Sequence, residues 1–160
     1  GLVIQRPHLF PGTVADNIRY GPRLVGRELS DETVGKLLSA VLLSADMAET
    51  AVNTLSGGQI QRVAIARVLA NEPDVILLDE PTTALAPRAA KQVEETMRSL
   101  CQTSQLTVLW VTHDVAQVER LADHIVFIQK GKVMAQGNRD QLFQSENVAF
   151  HTFVNGVEQT

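Results

Sequence analysis

Two kinds of apolar pattern take turns along this chain. Apolar residues at helical spacing occur in residues 14–20, 34–42, 60–69, 88–100 and 115–121. Continuous apolar runs of strand length occur in residues 1–4, 75–78, 106–111 and 125–128. Strands that alternate with helices predict right-handed βαβ units around a mostly parallel sheet. Unbroken apolar runs are typical of parallel strands that are buried on both faces.

Caps and turn residues set the expected limits of these elements. Gly21 and Pro22 are expected to stop the first helix, and Ser30 is expected to cap the second. Gly131 predicts the turn of a hairpin, and two short helices are expected from Asn138 onward. We find no internal repeat and no long linker that would divide the chain into independent domains.

The stretch Leu55, Ser56, Gly57, Gly58, Gln59 stands directly before a helical pattern. Ser56 can cap that helix, and the two glycines let the backbone approach a ligand without interference from a Cβ atom. The start of a helix carries unpaired N–H groups and the positive end of the helix dipole, which together attract phosphate. The alternative is an ordinary Ser-capped helix after a glycine turn.

Ionisable residues follow two strands of the predicted sheet at the points where the strands end. Asp79 and Glu80 follow the run at 75–78, and His113 follows the run at 106–111. Ligands of an open α/β sheet bind at the carboxyl ends of its strands. A carboxylate there can hold Mg²⁺ while its neighbour orients an attacking water. The alternative is an acidic pair with a purely structural role.

Composition narrows the class of protein. With 160 residues, 44% of them hydrophobic, the chain is long enough for one globular domain with a core. The net charge of −4 comes from interspersed acids and bases, which argues against binding to nucleic acid or a lipid surface. The single cysteine, Cys101, excludes an intrachain disulfide. Arg62 and Arg67 are expected to be mostly solvated, and Trp110 is expected in the core.

Membrane association is expected only through a partner. No apolar run reaches the about 18 residues that a spanning helix needs, and the first residues do not resemble a signal peptide. The chain opens on Gly1, inside an apolar run, where a natural start would show Met. We therefore expect a truncated or fragmentary protein.

Four motifs, in this order, resemble those of ABC-type ATPases. Gln5 resembles the glutamine loop, the pentapeptide at 55–59 the signature motif, the run at 75–82 the Walker B segment, and His113 the switch histidine. The resemblance implies an α/β fold: a P-loop NTPase-like, mostly parallel sheet flanked by helices, with an α-helical subdomain and without the N-terminal portion.

The resemblance also implies a plan for the whole chain, residues 1–160, as a partial ABC ATPase domain. The expected segments are a glutamine-loop segment at 1–12, a helical subdomain ending in the signature motif at 13–58, an α/β core with Walker B and the switch histidine at 59–135, and C-terminal helices at 136–160.

Carried over residue by residue, the resemblance implies the following roles. Asp79 supports Mg²⁺, Glu80 polarises the hydrolytic water, and His113 contacts the γ-phosphate of ATP. Gln5 reaches the metal or the water and links the site to a membrane partner. These residues would together stabilise the charge on the transferring phosphoryl group.

The signature motif implies partners. It would bind the γ-phosphate of ATP held by the opposite subunit of a head-to-tail dimer, which is expected to be a homodimer. The residues implied are Ser56, Gly57, Gly58 and Gln59. A separate membrane-spanning subunit and a place on the cytoplasmic face of a membrane are also implied. Residues 12–22 and 30–43 further resemble small ATPase subunits of phosphate-importer-like and metal-tolerance-associated groups.

The sequence departs from the family pattern at two places. It contains no Gly-x-x-x-x-Gly-Lys-Ser/Thr phosphate loop, which would lie before Gly1, so the chain alone is expected to bind ATP poorly and to be inactive. Ala86 stands where the family usually has an aspartate that helps to couple the two sites of the dimer. Two alternatives to a transport ATPase are a truncated, non-catalytic module that offers its signature motif in trans and an ABC ATPase of DNA repair or translation.

Overall fold

The computed structural model describes residues 1–83, 85–104 and 106–155. It divides into two compact units, Gly1–Val111 and Thr112–Thr160. In the part of the chain that is described, no helix is both long enough and apolar enough to cross a membrane.

A three-stranded parallel sheet forms the centre of the first unit. Its strands are β1 (Leu2–Val3), β2 (Val75–Asp79) and β3 (Thr107–Val111), with β2 in the middle. The mostly parallel sheet predicted from the alternation of strands and helices is confirmed for this unit.

Four α-helices accompany the sheet in the first unit. They are α1 (Val14–Leu24), α2 (Asp31–Ala40), α3 (Gly57–Leu69) and α4 (Pro87–Thr103), with 3₁₀ turns at Ala45–Glu49 and Val52–Thr54. Ser30 caps α2 by accepting a hydrogen bond from the N–H of Thr33, as predicted. The region between β1 and β2 contains α1, α2, α3 and the two 3₁₀ turns, with one isolated β-bridge between Thr13 and Ala51.

Helix α1 runs through Gly21 and Pro22, so the prediction that these residues stop it is wrong. Pro22 is buried with the apolar face of the helix, and this packing outweighs the hydrogen bond that proline cannot donate. Gly21 does not end the helix but provides space for a neighbouring side chain, since a Cβ added there would lie 2.4 Å from Asn71 Oδ1. The glycine thus permits close approach to the residue that follows α3.

One face of the sheet lies on the core and the other is open. Val3, Ile76 and Leu78 are buried together with apolar residues of all four helices. Leu2 and Leu109 point the other way and are 58% and 52% exposed. The prediction that these strands are buried on both faces is therefore wrong for the chain as described.

The second unit is a hairpin packed on short helices. It contains α5 (Val115–Leu121), β4 (His124–Gln129), β5 (Lys132–Asn138), α6 (Arg139–Phe143) and α7 (Val148–Val154). Strands β4 and β5 are antiparallel, and Gly131 lies in the turn between them with φ of +72°. The core consists of Ile125, Phe127, Leu142 and Phe150. The predicted hairpin and the two predicted terminal helices are confirmed.

Candidate functional site

The carboxyl end of β2 brings Gln5 and Glu80 together. Gln5 Nε2 donates a hydrogen bond to Glu80 Oε2 at 3.1 Å, across 75 positions of the chain. Thr83 Oγ1 donates to the same oxygen, also at 3.1 Å. Thr83 was not among the residues expected at the site, although a hydroxyl three residues after an acid in a turn is a signal for such a contact.

The backbone holds Glu80 in a conformation that is rare for a residue with a side chain. Its φ is +43°, in the left-handed region, immediately after the strand. Its N–H donates to Val111 O at 3.0 Å, and its carbonyl accepts from the N–H of Thr83 at 3.3 Å. Backbone outliers of this kind are concentrated at functional sites.

Asp79 is the last residue of β2 and is exposed. Among the described residues, no three His, Cys, Asp or Glu side chains are grouped to hold a metal by themselves. Mg²⁺ accepts one or two carboxylates when substrate phosphates and water supply the other ligands. The carboxylate of Asp79 and the amide oxygen of Gln5 are hard oxygen donors and fit this requirement.

The start of α3 is fixed by a capping box. Ser56 Oγ accepts from the N–H of Gln59 at 3.3 Å, while Gln59 Oε1 accepts from the N–H of Ser56 at 2.8 Å. The first intrahelical bond is donated by Ile60 to Ser56 O. The N–H groups of Gly57 and Gly58 therefore precede the hydrogen-bond ladder of the helix, as a phosphate site at a helix start requires.

The two glycines of the signature motif lie beside the beginning of α4. A Cβ on Gly58 would lie 3.0 Å from Ala89 Cβ, and one on Gly57 would lie 4.0 Å from Leu85 Cδ2. The side chain of Gln59 also reaches Met47 Sδ at 4.0 Å. The nucleotide-binding role of Gln59 stays a prediction, since its side chain is engaged in capping its own helix.

His113 belongs to the second unit and is exposed. It lies just before α5, whose N-cap is Asp114: the carboxylate of Asp114 accepts from the N–H of Gln117 at 3.2 Å. The Thr112 hydroxyl accepts from the N–H of Asp114 at 3.0 Å. Hydrogen bonds of the two neighbouring residues, Thr112 and Asp114, thus fix the turn that carries His113.

Arg62 and Arg67 are not mostly solvated, so that prediction is wrong. Arg62 is 9% exposed, and its guanidinium donates to Gly58 O at 3.3 Å and to Leu42 O at 3.2 Å. Arg67 donates to His8 O at 3.0 Å, and its guanidinium carbon lies 5.4 Å from the centre of the Phe10 ring. Burial lowers the pKa of both guanidinium groups. Both arginines connect α3 to distant segments.

A surface cleft of about 690 Å³ lies close to Gln5 in sequence. It is lined by residues 7–9, 11–13 and 51–53 and by Ile60. Two backbone hydrogen bonds join the segments that line it: Val14 N–H donates to Thr50 O at 3.0 Å, and Val52 N–H donates to Gly12 O at 3.1 Å. The segment that follows Gln5 is thereby fixed to the segment that precedes the signature motif.

Comparison with known proteins identifies the family. A family profile described as ABC transporter matches residues 1–83. "ABC transporter I family member 17" of Arabidopsis thaliana is 47% identical over 134 residues, which are 84% of this chain and 51% of that protein. "Phosphate import ATP-binding protein PstB 1" of Yersinia pestis is 42% identical over 151 residues, which are 91% of this chain and 55% of that protein. The chain thus spans about half the length of these curated relatives.

A solved structure agrees with this grouping. CbiO1 from Clostridium perfringens, described as part of the ABC transporter complex cbiONQ, superposes with a TM-score of 0.79 at 29% identity and covers 95% of this chain and 62% of its own. The expected α/β P-loop NTPase fold is confirmed. The comparisons give no support to the alternative of a truncated, non-catalytic module. The residue roles and the segment boundaries expected from the sequence stay predictions.

Proposed function

The chain belongs to the ABC transporter family, and on this premise we propose that it is the ATP-hydrolysing part of a subunit that powers transport through a separate membrane-spanning partner. The observation that carries the proposal is the Glu80 carboxylate at the end of β2. It is held by Gln5 and Thr83 on a strained backbone, at the sheet edge where α/β proteins bind ligands. We assign Glu80 to the polarisation of the hydrolytic water.

Asp79 and Gln5 are the residues that would hold Mg²⁺. Mg²⁺, when bound, would neutralise part of the charge on the phosphates of ATP. Gln5 has an amide with two ends: its nitrogen donates to Glu80, and its oxygen can serve the metal or the water. His113 is assigned to the γ-phosphate.

The start of α3 would bind the γ-phosphate of ATP held by a second subunit. The N–H groups of Gly57 and Gly58 are suited to this, because the capping box does not use them. Ser56 Oγ accepts the N–H of Gln59 in that box, and its O–H proton can still donate to a phosphate oxygen. The active unit is then a head-to-tail dimer. Loss of a phosphate loop in one subunit would remove its own nucleotide but leave this contact in place.

We place the membrane partner at the cleft that is lined by residues 7–9, 11–13 and 51–53. The lining of the cleft begins at Pro7, two residues after Gln5. A partner bound in the cleft can therefore shift the backbone at Pro7 and, with it, the hydrogen bond from Gln5 to Glu80. Asn53→Trp, which crowds the exposed mouth of the cleft, is expected to weaken co-purification of the membrane subunit. Ala116→Trp, exposed on α5, is the control and is expected to leave it unchanged.

ATP hydrolysis by the full-length protein in complex with its membrane subunit tests the function. We expect Mg²⁺-dependent turnover, and we expect Glu80→Gln to lower it at least about 100-fold, as loss of a catalytic base does. Glu80→Gln is also expected to retain ATP in a dimer that is stable on sedimentation. Glu95→Gln changes an exposed acid on α4 and should preserve turnover. Absence of Mg²⁺-dependent turnover in the wild-type complex would overturn the proposal.

The 160-residue chain alone provides a second measurement. Because the sequence has no phosphate loop, we expect weak ATP binding and no turnover by the isolated chain. Titration of the chain with Mg-ATP, followed by calorimetry, measures this directly. Binding as tight as that of the full-length protein would contradict the expectation.

A further inference from the structure

The Glu80 carboxylate accepts two hydrogen bonds on the same oxygen. Gln5 Nε2 and Thr83 Oγ1 each lie 3.1 Å from Glu80 Oε2. The two donors differ in origin, since Gln5 comes from the loop after β1 and Thr83 from the turn after β2. A glutamate side chain has three rotatable bonds, so contacts at its far end are what decide the orientation of the carboxylate.

The Thr83 donor belongs to the same turn as Glu80. The N–H of Thr83 donates to Glu80 O at 3.3 Å, and the hydroxyl of the same residue donates to the carboxylate. One residue therefore fixes both the carbonyl and the side chain of Glu80. Gln5, in contrast, belongs to another segment, whose next residues from Pro7 onward line the cleft.

We propose that Thr83 is a positioning residue for ATP hydrolysis, which holds the Glu80 carboxylate in the orientation that polarises water. The proposal rests on the function assigned to Glu80 above. Thr83 transfers no proton and touches no reacting atom. When Gln5 turns toward the metal, the water or a partner, the hydrogen bond from the Thr83 hydroxyl to Glu80 Oε2 does not depend on Gln5. The Thr83 hydroxyl therefore keeps the Glu80 carboxylate in the orientation that polarises water.

The charge of the carboxylate makes the contact consequential. A hydrogen bond to an ionised group is stronger than one between neutral groups, and a small misplacement of a catalytic group lowers the rate steeply. Thr83 is exposed, so its hydroxyl is not needed to satisfy a buried group. Removal of the hydroxyl is therefore expected to affect turnover more than folding.

The test replaces Thr83 in the full-length complex. Thr83→Val, which keeps the shape and removes the hydroxyl, is expected to lower kcat about tenfold, the effect of one lost hydrogen bond to a charged group, with KM for Mg-ATP changed less than about twofold. Thr83→Ser should restore kcat. Thr103→Val removes an exposed hydroxyl that donates to Ser99 O on α4 and should leave kcat unchanged. An unchanged kcat in Thr83→Val would overturn the proposal.

A second readout does not depend on turnover. The side-chain amide of Gln5 donates to the Glu80 carboxylate, so its ¹⁵N–¹H resonance in the nucleotide-free protein reports the orientation of that carboxylate. We expect this resonance to shift in Thr83→Val and to return in Thr83→Ser. If the wild type hydrolyses no ATP, the proposed function fails, and the Gln5 resonance still decides whether Thr83 orders the carboxylate. An unmoved resonance would refute that ordering.

Discussion

At the scale of single residues, Asn17 is the buried polar side chain that fixes the wall of the cleft. It is 0% exposed, its Oδ1 accepts from the N–H of Phe10 at 2.8 Å, and its Nδ2 donates to the carbonyls of Phe10 at 2.9 Å and Thr13 at 3.0 Å. The Asn17 side chain therefore supplies backbone groups of Phe10 and Thr13, in the loop that follows β1, with the hydrogen bonds that regular secondary structure would otherwise provide. No local sequence pattern indicates this role, because two of its three bonds join residues seven positions apart.

Asn17→Ala is expected to lower the free energy of unfolding by about 2 to 4 kcal/mol. The substitution removes three hydrogen bonds made by a fully buried side chain, and the N–H and carbonyl of Phe10, part-buried at this contact, lose these partners. Urea unfolding measures the change. Asn53→Ala, at an exposed position of the same cleft, should change the free energy by less than about 0.5 kcal/mol. Equal effects of the two substitutions would contradict the role given to Asn17.

Arg62 shows which residue roles could not be read from the sequence. Its charge and its place in an amphipathic helix indicated solvent, yet its guanidinium reaches Leu42 O, 20 positions away. Leu42 has φ of +56°, and this turn presents its carbonyl to α3. Contacts of this kind depend on how α3 packs against another segment. Ser56 and Ser30, in contrast, were predicted correctly because a cap acts within its own helix.

At the scale of secondary-structure elements, α4 begins without a side-chain cap. Ala86 occupies the N-cap position with φ of −61° and ψ of 149°, and no side chain there accepts a hydrogen bond from the first turn. We expect Ala86→Asp to raise the free energy of unfolding by about 1 kcal/mol through capping. Ala86→Asn supplies the same cap without charge and should match it in urea unfolding. A gain confined to Asp would indicate an electrostatic cause, and no gain in either variant would show that the backbone there cannot be capped.

The capping box of α1 predicts a dependence of stability on pH. The backbone N–H of Thr13, followed by its hydroxyl, donates to the Asp16 carboxylate and holds the pKa of Asp16 below its usual value. A lowered pKa in the folded state contributes stability above the unfolded value of 3.8, and this contribution is lost as the pH falls through the folded pKa. Asp16→Asn should therefore be less stable than the wild type at pH 7, and the difference should shrink below pH 3.8.

Unfolding of both Asp16 proteins in urea at neutral and acidic pH measures this change. Asp46→Asn is a suitable control, since Asp46 is an exposed acid in the first turn of the Ala45–Glu49 segment, whose N-cap makes no side-chain cap bond. The Asp46 carboxylate accepts from the Ser44 hydroxyl at 3.3 Å and not from a backbone N–H of a capping box. The control should show no comparable loss at pH 7. A difference between wild type and Asp16→Asn that stays constant with pH would refute the assigned cause.

The first and last residues of a helix could be predicted where a capping residue determines them. They could not be predicted where tertiary packing determines them. Helix α5 lies where its apolar spacing placed it, and Asp114 caps it. Helix α1 continues past Gly21 because its buried face, which includes Pro22, is held by the core. Sequence reasoning treated the two residues as breakers, which is correct only for a helix end that is free of tertiary contacts.

At the scale of the whole molecule, the sheet is parallel as the alternation of strands and helices predicted, but its two faces differ. Unbroken apolar runs are the usual mark of strands covered on both sides. In this chain, Leu78 on β2 is 0% exposed, while Leu109 on β3 is 52% exposed. Apolar sequence alone could not distinguish the two, because it records which residues can be buried and not which segment covers them.

Leu78→Ala and Leu109→Ala test this asymmetry with the same chemical change on neighbouring strands. Leu78 belongs to the core shared by the sheet and the four helices, so its truncation leaves a cavity and should lower the free energy of unfolding by about 2 to 5 kcal/mol. The Leu109 side chain is 52% exposed, so its truncation removes mainly contact with water and should lower the free energy of unfolding by less than about 1 kcal/mol. Urea unfolding of both variants of the 160-residue chain gives the comparison. Equal losses would mean that a second layer covers the sheet in solution, because only burial on both faces makes the two leucines equivalent.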